Sequence, residues 1–173
     1  NHYQGVQLTG HLSTLFGHKE IKNSKKQDLK ISIQDWQKIL IEQGYFARSI
    51  PKKYGGYGGE LDIVKDVIIN DEFAKANVPS GTGGQGIDFL VPTLLEMGTE
   101  EQKQRYIKAA LYLDEIWCQG YSEPNAGSDL ASLQTKGVLD GDEWVINGQK
   151  IWTSTAKFAQ MMFCLVRTEP DAP

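Results

Sequence analysis

Apolar residues recur with two different periods along this chain, and the change from one to the other divides it. From Ser32 onward, Trp36, Ile39 and Leu40 fall on one face of a helix, as a 3.6-residue repeat requires. Ser32 can accept a first-turn N–H as N-cap, and Gly44 supplies a stop. Leu61, Val64, Ile68 and Phe73 keep the helical spacing and predict a second amphipathic helix over 60–76. Between the two, Pro51-Lys52-Lys53-Tyr54-Gly55-Gly56-Tyr57-Gly58-Gly59 cannot continue a helix and predicts an irregular loop. A glycine-rich turn at 81–86 leads into a third apolar segment, Ile87 to Met97, closed by Gly98. Thr99-Glu100-Glu101-Gln102 has the form of a capping box. It opens a fourth helix to about Leu111, buried along Tyr106, Ile107 and Ala110.

Beyond this point the period falls to about 2. Glu115 to Tyr121, Thr135 to Leu139, Glu143 to Ile146 and Met161 to Arg167 predict strands. Asp140-Gly141 joins the middle two, and Asn147-Gly148 predicts a type I′ hairpin from which Gln149 to Trp152 returns. Helices first and strands afterwards predict an α+β chain. An all-α helical domain would cover 1–113, with 1–30 an irregular lead-in, and an antiparallel β domain would begin at 114 and run to 173. A few short strands make a thin sheet, so the β domain is expected to be incomplete. The chain opens at Asn1 without methionine, which suggests a processed, cut or incompletely recorded sequence. There are no internal repeats.

Composition removes several classes of function. At 173 residues the chain can bury a real core as one domain or two small ones. A net charge of −4 argues against a nucleic-acid footprint, and Lys22, Lys25, Lys26 and Lys30 read as a solvated linker. No apolar run reaches the ~18–20 residues of a membrane span, and no leader points to secretion. A cytoplasmic protein is expected, or a mitochondrial matrix protein if the source is eukaryotic. Cys118 and Cys164 sit in apolar strand-like runs and read as buried, reduced thiols. His2, His11 and His18 lie far from any acidic cluster, and no C-x-x-C or H-E-x-x-H occurs, so no metal site is expected. With no G-x-S-x-G and no placed histidine, hydrolase chemistry is a poor fit.

Three stretches carry candidate chemistry. Gly81-Thr82-Gly83-Gly84-Gln85-Gly86 matches G-x-G-x-x-G, but Pro79-Ser80 stands where a dinucleotide loop needs a strand, so a flexible helix connection is the better reading. In Tyr121-Ser122-Glu123-Pro124-Asn125-Ala126-Gly127-Ser128-Asp129, Pro124 ends the strand. Ala126-Gly127 allows close approach of backbone to a ligand, and Ser122 and Ser128 offer hydroxyls. On the residues alone, an ordinary strand-to-turn connection with Asn125 and Asp129 as turn formers is favoured. Trp152, from Asn147-Gly148-Gln149-Lys150-Ile151-Trp152-Thr153-Ser154, reads as core more readily than as a ligand platform.

The run Trp117 to Asp129 resembles the signature loop of the acyl-CoA dehydrogenase flavoproteins, and Asn147 to Ser154 resembles their second signature. Pro51 to Gly56 and Gly98 to Lys103 resemble helical-domain landmarks of that family, in the same order. The likeness covers about 31–173. It implies a helical domain followed by a β domain, FAD as cofactor, and oxidation of an acyl-CoA to the 2,3-enoyl-CoA. Tyr121 and Ser122 would give N–H groups, and Ser122 its hydroxyl, to the pyrimidine edge of FAD. Gln119 would begin the segment at the flavin edge, and Ser128 would belong to the cofactor-binding loop and touch the acyl-CoA. Trp152 would lie against the isoalloxazine, with Thr153 beside it and Ser154 near N5. Serines at 122 and 154, where the family commonly has threonine, keep the hydroxyl but lose the restraining methyl.

No carboxylate here matches the family's catalytic base, which belongs to a C-terminal helical domain absent from this chain, and Glu123 reads as structural. The family also implies an electron-transfer flavoprotein as electron acceptor, and a homo-oligomer, tetramer or dimer. Competing readings are a non-catalytic truncated paralogue or subunit acting as a binding or assembly module, and an acyl-CoA oxidase or a nucleic-acid-binding relative.

Overall fold

The computed structural model describes residues 7–9 and 30–169. All three histidines and Lys22, Lys25 and Lys26 lie outside the described residues. The chain divides into two compact units, Asn1–Glu115 and Ile116–Pro173.

In the first unit, β1 (Gln7–Thr9) pairs in parallel with β2 (Lys30–Ser32), in register Gln7 with Lys30. Part of the stretch expected to be an irregular lead-in is therefore strand. Helix α1 (Ile33–Glu42) starts where Ser32 accepts the Asp35 N–H at 3.0 Å. It ends ahead of Gly44, whose φ of 72° is left-handed. Its buried face carries Ile33, Trp36, Gln37, Leu40 and Ile41. Ile31, Ile39, Phe46, Phe73 and Val78 pack around Trp36 and Leu40, and the Trp36 indole N–H donates to the Pro79 carbonyl at 2.9 Å. The 51–59 loop is irregular as expected, apart from a single 3-10 turn at Lys52–Tyr54.

Helix α2 (Ile63–Ala76) is capped by Asp62, which accepts from the Lys65 N–H at 2.9 Å. The sequence predicts that this helix buries Leu61, Val64, Ile68 and Phe73 as one face. The structure instead leaves α2 with no buried residue: Val64 and Ile68 are exposed, and so is Leu61 just before it. Its apolar residues spread over adjacent positions (Ile63, Val64, Val67, Ile68, Ile69), too wide a band for a small core to cover. Phe73 does meet packing, edge-on to Tyr45 at 5.5 Å.

The last two helical segments are interrupted. A π-helical turn at Gly86–Leu90 runs into α3 (Val91–Met97), and another at Lys103–Ile107 separates α4 (Glu100–Gln102) from α5 (Lys108–Leu111). Both arms of the capping box form: Thr99 accepts from the Gln102 N–H, and Gln102 accepts from the Thr99 N–H at 2.9 Å. Ile107, Ala110 and Leu111 are buried, while Tyr106, expected with them, is half-buried. Gln37, 1% exposed, clamps the glycine-rich turn: it accepts from the Thr82 N–H and donates to the Thr82 and Leu111 carbonyls. The Asp88 carboxylate accepts the Gly84 N–H at 2.8 Å. The turn's own acid thus takes a donor that a phosphate would need.

In the second unit, β3 (Trp117–Gly120) pairs with β6 (Met161–Cys164) in parallel, Gln119 opposite Phe163. β4 (Lys136–Asp140) and β5 (Glu143–Asn147) pair antiparallel around Gly141-Asp142, with Gly141 at φ 62°. The antiparallel pairing expected of the whole domain therefore holds for β4–β5 and not for β3–β6. The turn expected at Asp140-Gly141 forms, whereas the further hairpin expected at Asn147-Gly148 is absent: residues 148–152 form no strand against β5, and the Ile151 N–H bonds the Ser122 carbonyl instead. Gly148 serves another purpose: a Cβ there would stand 2.3 Å from the Thr135 hydroxyl and 2.6 Å from its Cα, so only glycine lets the two backbones approach. The strand expected to reach Arg167 ends at Cys164. Arg167 then bridges back to Lys136, taking the Gly137 N–H and giving its own N–H to the Thr135 carbonyl.

Candidate functional site

The site is built where β3 ends. Pro124-Asn125 folds the chain back on itself: the Glu123 N–H donates to the Ala126 carbonyl at 2.7 Å, and the Ala126 N–H returns to Glu123 at 3.1 Å. Ala126 is buried, while Gly127, Ser128 and Asp129 are exposed. The segment leaving β5 crosses this loop. The Lys150 ammonium donates to the Tyr121 carbonyl at 3.1 Å, and the Ile151 N–H donates to the Ser122 carbonyl at 2.9 Å. Trp152 follows one residue later.

Beneath the crossing lies a buried ion pair. The Glu123 carboxylate accepts from Lys150 at 2.8 Å, the Gln134 N–H at 2.6 Å and the Thr135 N–H at 2.9 Å. Both side chains are nearly sealed, at 7% exposure for Glu123 and 8% for Lys150. Burial pushes the carboxyl upward, but the hydrogen bonds from Lys150, Thr135 and Gln134 outweigh it and hold the group at about 2. Lys150 is the residue that reading the sequence missed. The available signal was a lone cation in a hydroxyl- and aromatic-rich motif, with an acid at the matching place in the first loop.

The expected site residues are placed as follows. Gln119 is half-buried in β3, opposite Phe163. Tyr121 and Ser122 are half-buried, and the Tyr121 ring lies edge-on to Phe163 at 5.8 Å. Desolvation raises the Tyr121 phenol above its ordinary value, so it stays neutral. Among the described residues, neither the Tyr121 N–H nor the Ser122 N–H donates to a protein acceptor, and the hydroxyls of Ser122, Ser128 and Ser154 make no hydrogen bond. Trp152 is 85% exposed with φ 58°, and Thr155 has φ 67°. A bulky side chain in the left-handed region is costly, of the order of 1–2 kcal/mol, and Trp152 recovers little of that by burial. The exposure overturns the reading of this residue as core. Thr153 is half-buried inside a tight turn in which the Ser154 N–H donates to the Trp152 carbonyl at 2.9 Å. Gln119, Tyr121, Ser122, Trp152, Thr153 and Ser154 therefore cluster along two crossing segments. Ser128 lies further along the exposed part of the loop.

Neither cysteine is a nucleophile in waiting: desolvation raises both thiols, with Cys118 buried and Cys164 half-buried. No group of metal-binding side chains occurs among the described residues, and no described helix is long and apolar enough to cross a membrane.

Comparison with known proteins gives the family. Residues 16–112 match the acyl-CoA dehydrogenase N-terminal domain, and residues 118–173 match the acyl-CoA dehydrogenase middle domain. The chain belongs to the acyl-CoA dehydrogenase family. Acyl-CoA dehydrogenase IpdE1 of Mycobacterium tuberculosis is 45% identical over 134 residues, covering 78% of this chain and 34% of that protein. The (2S)-methylsuccinyl-CoA dehydrogenase of Cereibacter sphaeroides is 34% identical over 130 residues, covering 75% and 23%. Among solved structures, the Tcur3481-Tcur3483 steroid ACAD is similar with a TM-score of 0.65 at 40% identity, covering 82% of this chain and 36% of that one. The ChsE4-ChsE5 complex from Mycobacterium tuberculosis gives a TM-score of 0.64 at 38% identity, covering 80% and 35%. This member of the acyl-CoA dehydrogenase family thus spans about a third, or less, of the length of these relatives. A helical unit followed by a β unit is the fold class that the sequence predicts.

Proposed function

We propose that this chain forms the N-terminal helical domain, near 1–113, and the first part of the middle β domain, from 114, of a FAD-dependent acyl-CoA dehydrogenase that converts an acyl-CoA to the 2,3-enoyl-CoA. The observation that carries the reading is the conjunction at the crossing: two adjacent N–H groups without a protein acceptor, beside a tryptophan that is exposed and conformationally costly. A planar ligand with an electron-rich edge fits both, because fixed donors meet its acceptors and an indole face covers its ring.

Bound FAD would supply the hydride acceptor for the substrate's β-carbon. The Tyr121 and Ser122 N–H groups and the Ser122 hydroxyl would hold the pyrimidine edge, with Gln119 at its margin. Trp152 would cover the ring system and exclude water, with Thr153 shaping the turn beneath it and Ser154 presenting a hydroxyl near N5. Ser128, on the exposed side of the loop, would meet the acyl-CoA. No residue of this chain is assigned as the base that removes the α-proton. Glu123 is unsuited to it, being sealed from substrate and held near 2 by its three donors. The likeness to multi-component relatives and to an electron-transferring flavoprotein supports assembly into an oligomer, and an electron-transfer flavoprotein as acceptor.

The test is the flavin content of the intact protein and its anaerobic bleaching on addition of acyl-CoA. Stoichiometric FAD that bleaches is the expected result, and a folded, colourless protein that takes up no FAD would overturn the reading. Trp152→Ala should lower flavin retention with little loss of stability, since the side chain is 85% exposed. Trp36→Ala, at 3% exposure, should instead cost about 3–5 kcal/mol of stability and leave the flavin affinity of the folded fraction intact. Equal flavin content in the two folded variants would count against the assignment.

A further inference from the structure

We propose that Lys150 is the positioning residue of the flavin cradle: by holding the Tyr121 carbonyl on one side of the 121–122 peptide, it aims the Ser122 N–H out of the other. The inference rests on the flavin reading above.

A trans peptide is planar, with its C=O and N–H pointing in opposite directions. Fixing the carbonyl therefore fixes the donor that follows it. Three successive carbonyls at the end of β3 are held in this way. The Leu165 N–H donates to Gly120 at 3.1 Å, Lys150 Nζ to Tyr121 at 3.1 Å, and the Ile151 N–H to Ser122 at 2.9 Å. The corresponding N–H groups belong to Tyr121, Ser122 and Glu123. The Glu123 N–H goes to the Ala126 carbonyl, whereas those of Tyr121 and Ser122 meet no acceptor among the described residues. Two of the three anchors are backbone groups of neighbouring segments, and only the middle one is a side chain.

That side chain is itself immobilised. Lys150 Nζ lies 2.8 Å from Glu123 Oε1, and the same carboxylate is tied to the backbone at Gln134 and Thr135. A lysine stem normally samples many rotamers, so an exposed one makes a poor anchor; this one is 8% exposed and held from two directions. A buried ion pair commonly contributes no more stability than an apolar pair of equal volume. What it supplies here is direction. The ammonium must satisfy Tyr121 and Glu123 together, which restricts how the loop sits against the 148–152 segment. The same constraint carries Ile151, and hence Trp152, to its place beside the loop.

The test compares FAD dissociation constants, the visible spectrum of bound flavin and unfolding temperatures without flavin for the intact protein and its variants. The double substitution E123Q/K150M removes both charges together and leaves no unpaired buried ion. It should fold, bind FAD about tenfold more weakly and alter the flavin spectrum, which reports hydrogen bonding at the ring edge. Ser32→Ala, which removes a helix cap in the other unit, controls for general destabilisation and should leave affinity and spectrum unchanged. Unaltered affinity and spectrum in the folded double variant would overturn the positioning role alone. Should that variant not fold, K150R decides. Its longer, planar guanidinium cannot take the ammonium's place at 8% exposure without displacing the loop, so affinity should fall at least about threefold; an unaltered value again overturns the role. If the intact, unsubstituted protein of which this chain forms a part takes up no FAD, the functional reading falls and this inference with it.

Discussion

Glu123 shows how far a single residue can be read from sequence. Its place before Pro124 marks it as structural, and the structure gives it three donors and 7% exposure. What the sequence does not show is its partner, because Lys150 is 27 positions away and charge complementarity has no reach along a chain. Gln37 is a similar case. A polar residue on the apolar face of α1 looks like an interruption until Thr82 and Leu111 close around it. The Glu123 arrangement carries a definite pH signature. Its folded-state value, about 2, lies below the ordinary 4.5, so the carboxylate's contribution to stability is complete above pH 4.5. That contribution is withdrawn as pH falls toward about 2. Thermal unfolding across this interval should show a steeper decline for the unsubstituted protein than for Glu123→Gln, which has no proton to gain. Parallel curves would mean that the carboxylate is not held as described.

Among the elements, legibility follows the range of the signal. The Ser32 cap and the Thr99–Gln102 box are completed within three residues, and both form where the sequence places them. The Asn147-Gly148 signal is just as local, yet it misleads. Gly141-Asp142 turns β4 into β5 as the sequence predicts, but no strand returns after Asn147, and Gly148 has no positive φ. Its glycine answers a tertiary need, the approach to Thr135, which no local rule contains. Gly148→Ala should therefore force the 134–135 and 148–150 segments apart and destabilise the protein by about 1–3 kcal/mol. Gly127→Ala, where an added Cβ meets nothing within 4 Å, should be close to neutral in the same urea or thermal unfolding measurement. Equal costs at the two positions would show that the close approach is not the reason for the glycine. The opposite result in the same region is Trp152, a non-glycine residue kept at φ 58° where conformational preference alone would select glycine.

At the scale of the molecule, both units leave apolar surface in water. Leu61, just before α2, and Ile63, Val64, Val67 and Ile68 along it are each more than half exposed, and so are Val138, Leu139, Trp144, Val145 and Ile146 along the β4–β5 hairpin. The alternation that predicts strands β4 and β5 also predicts one covered face, and here Gly137 is the one buried position on the two strands. Periodicity reports which residues could be buried, but the partner that buries them lies outside the window in which the period is read. Contiguous apolar patches of this kind are uncommon on stable monomers, and the chain spans 34% of the length of IpdE1 from Mycobacterium tuberculosis. Produced alone, the 173-residue chain should bind a hydrophobic dye strongly and elute in size-exclusion chromatography at an apparent mass that rises with loading concentration. It should also hold FAD weakly or not at all, because a thin β unit with uncovered faces fixes the crossing at Lys150 less firmly than an enclosed one. Charged substitutions at Val64 and Val145, which sit on those faces at 70% and 51% exposure, should lower both the dye signal and the association without unfolding either unit. A monodisperse chain that binds no dye and retains stoichiometric flavin through dialysis would show instead that these surfaces need no cover.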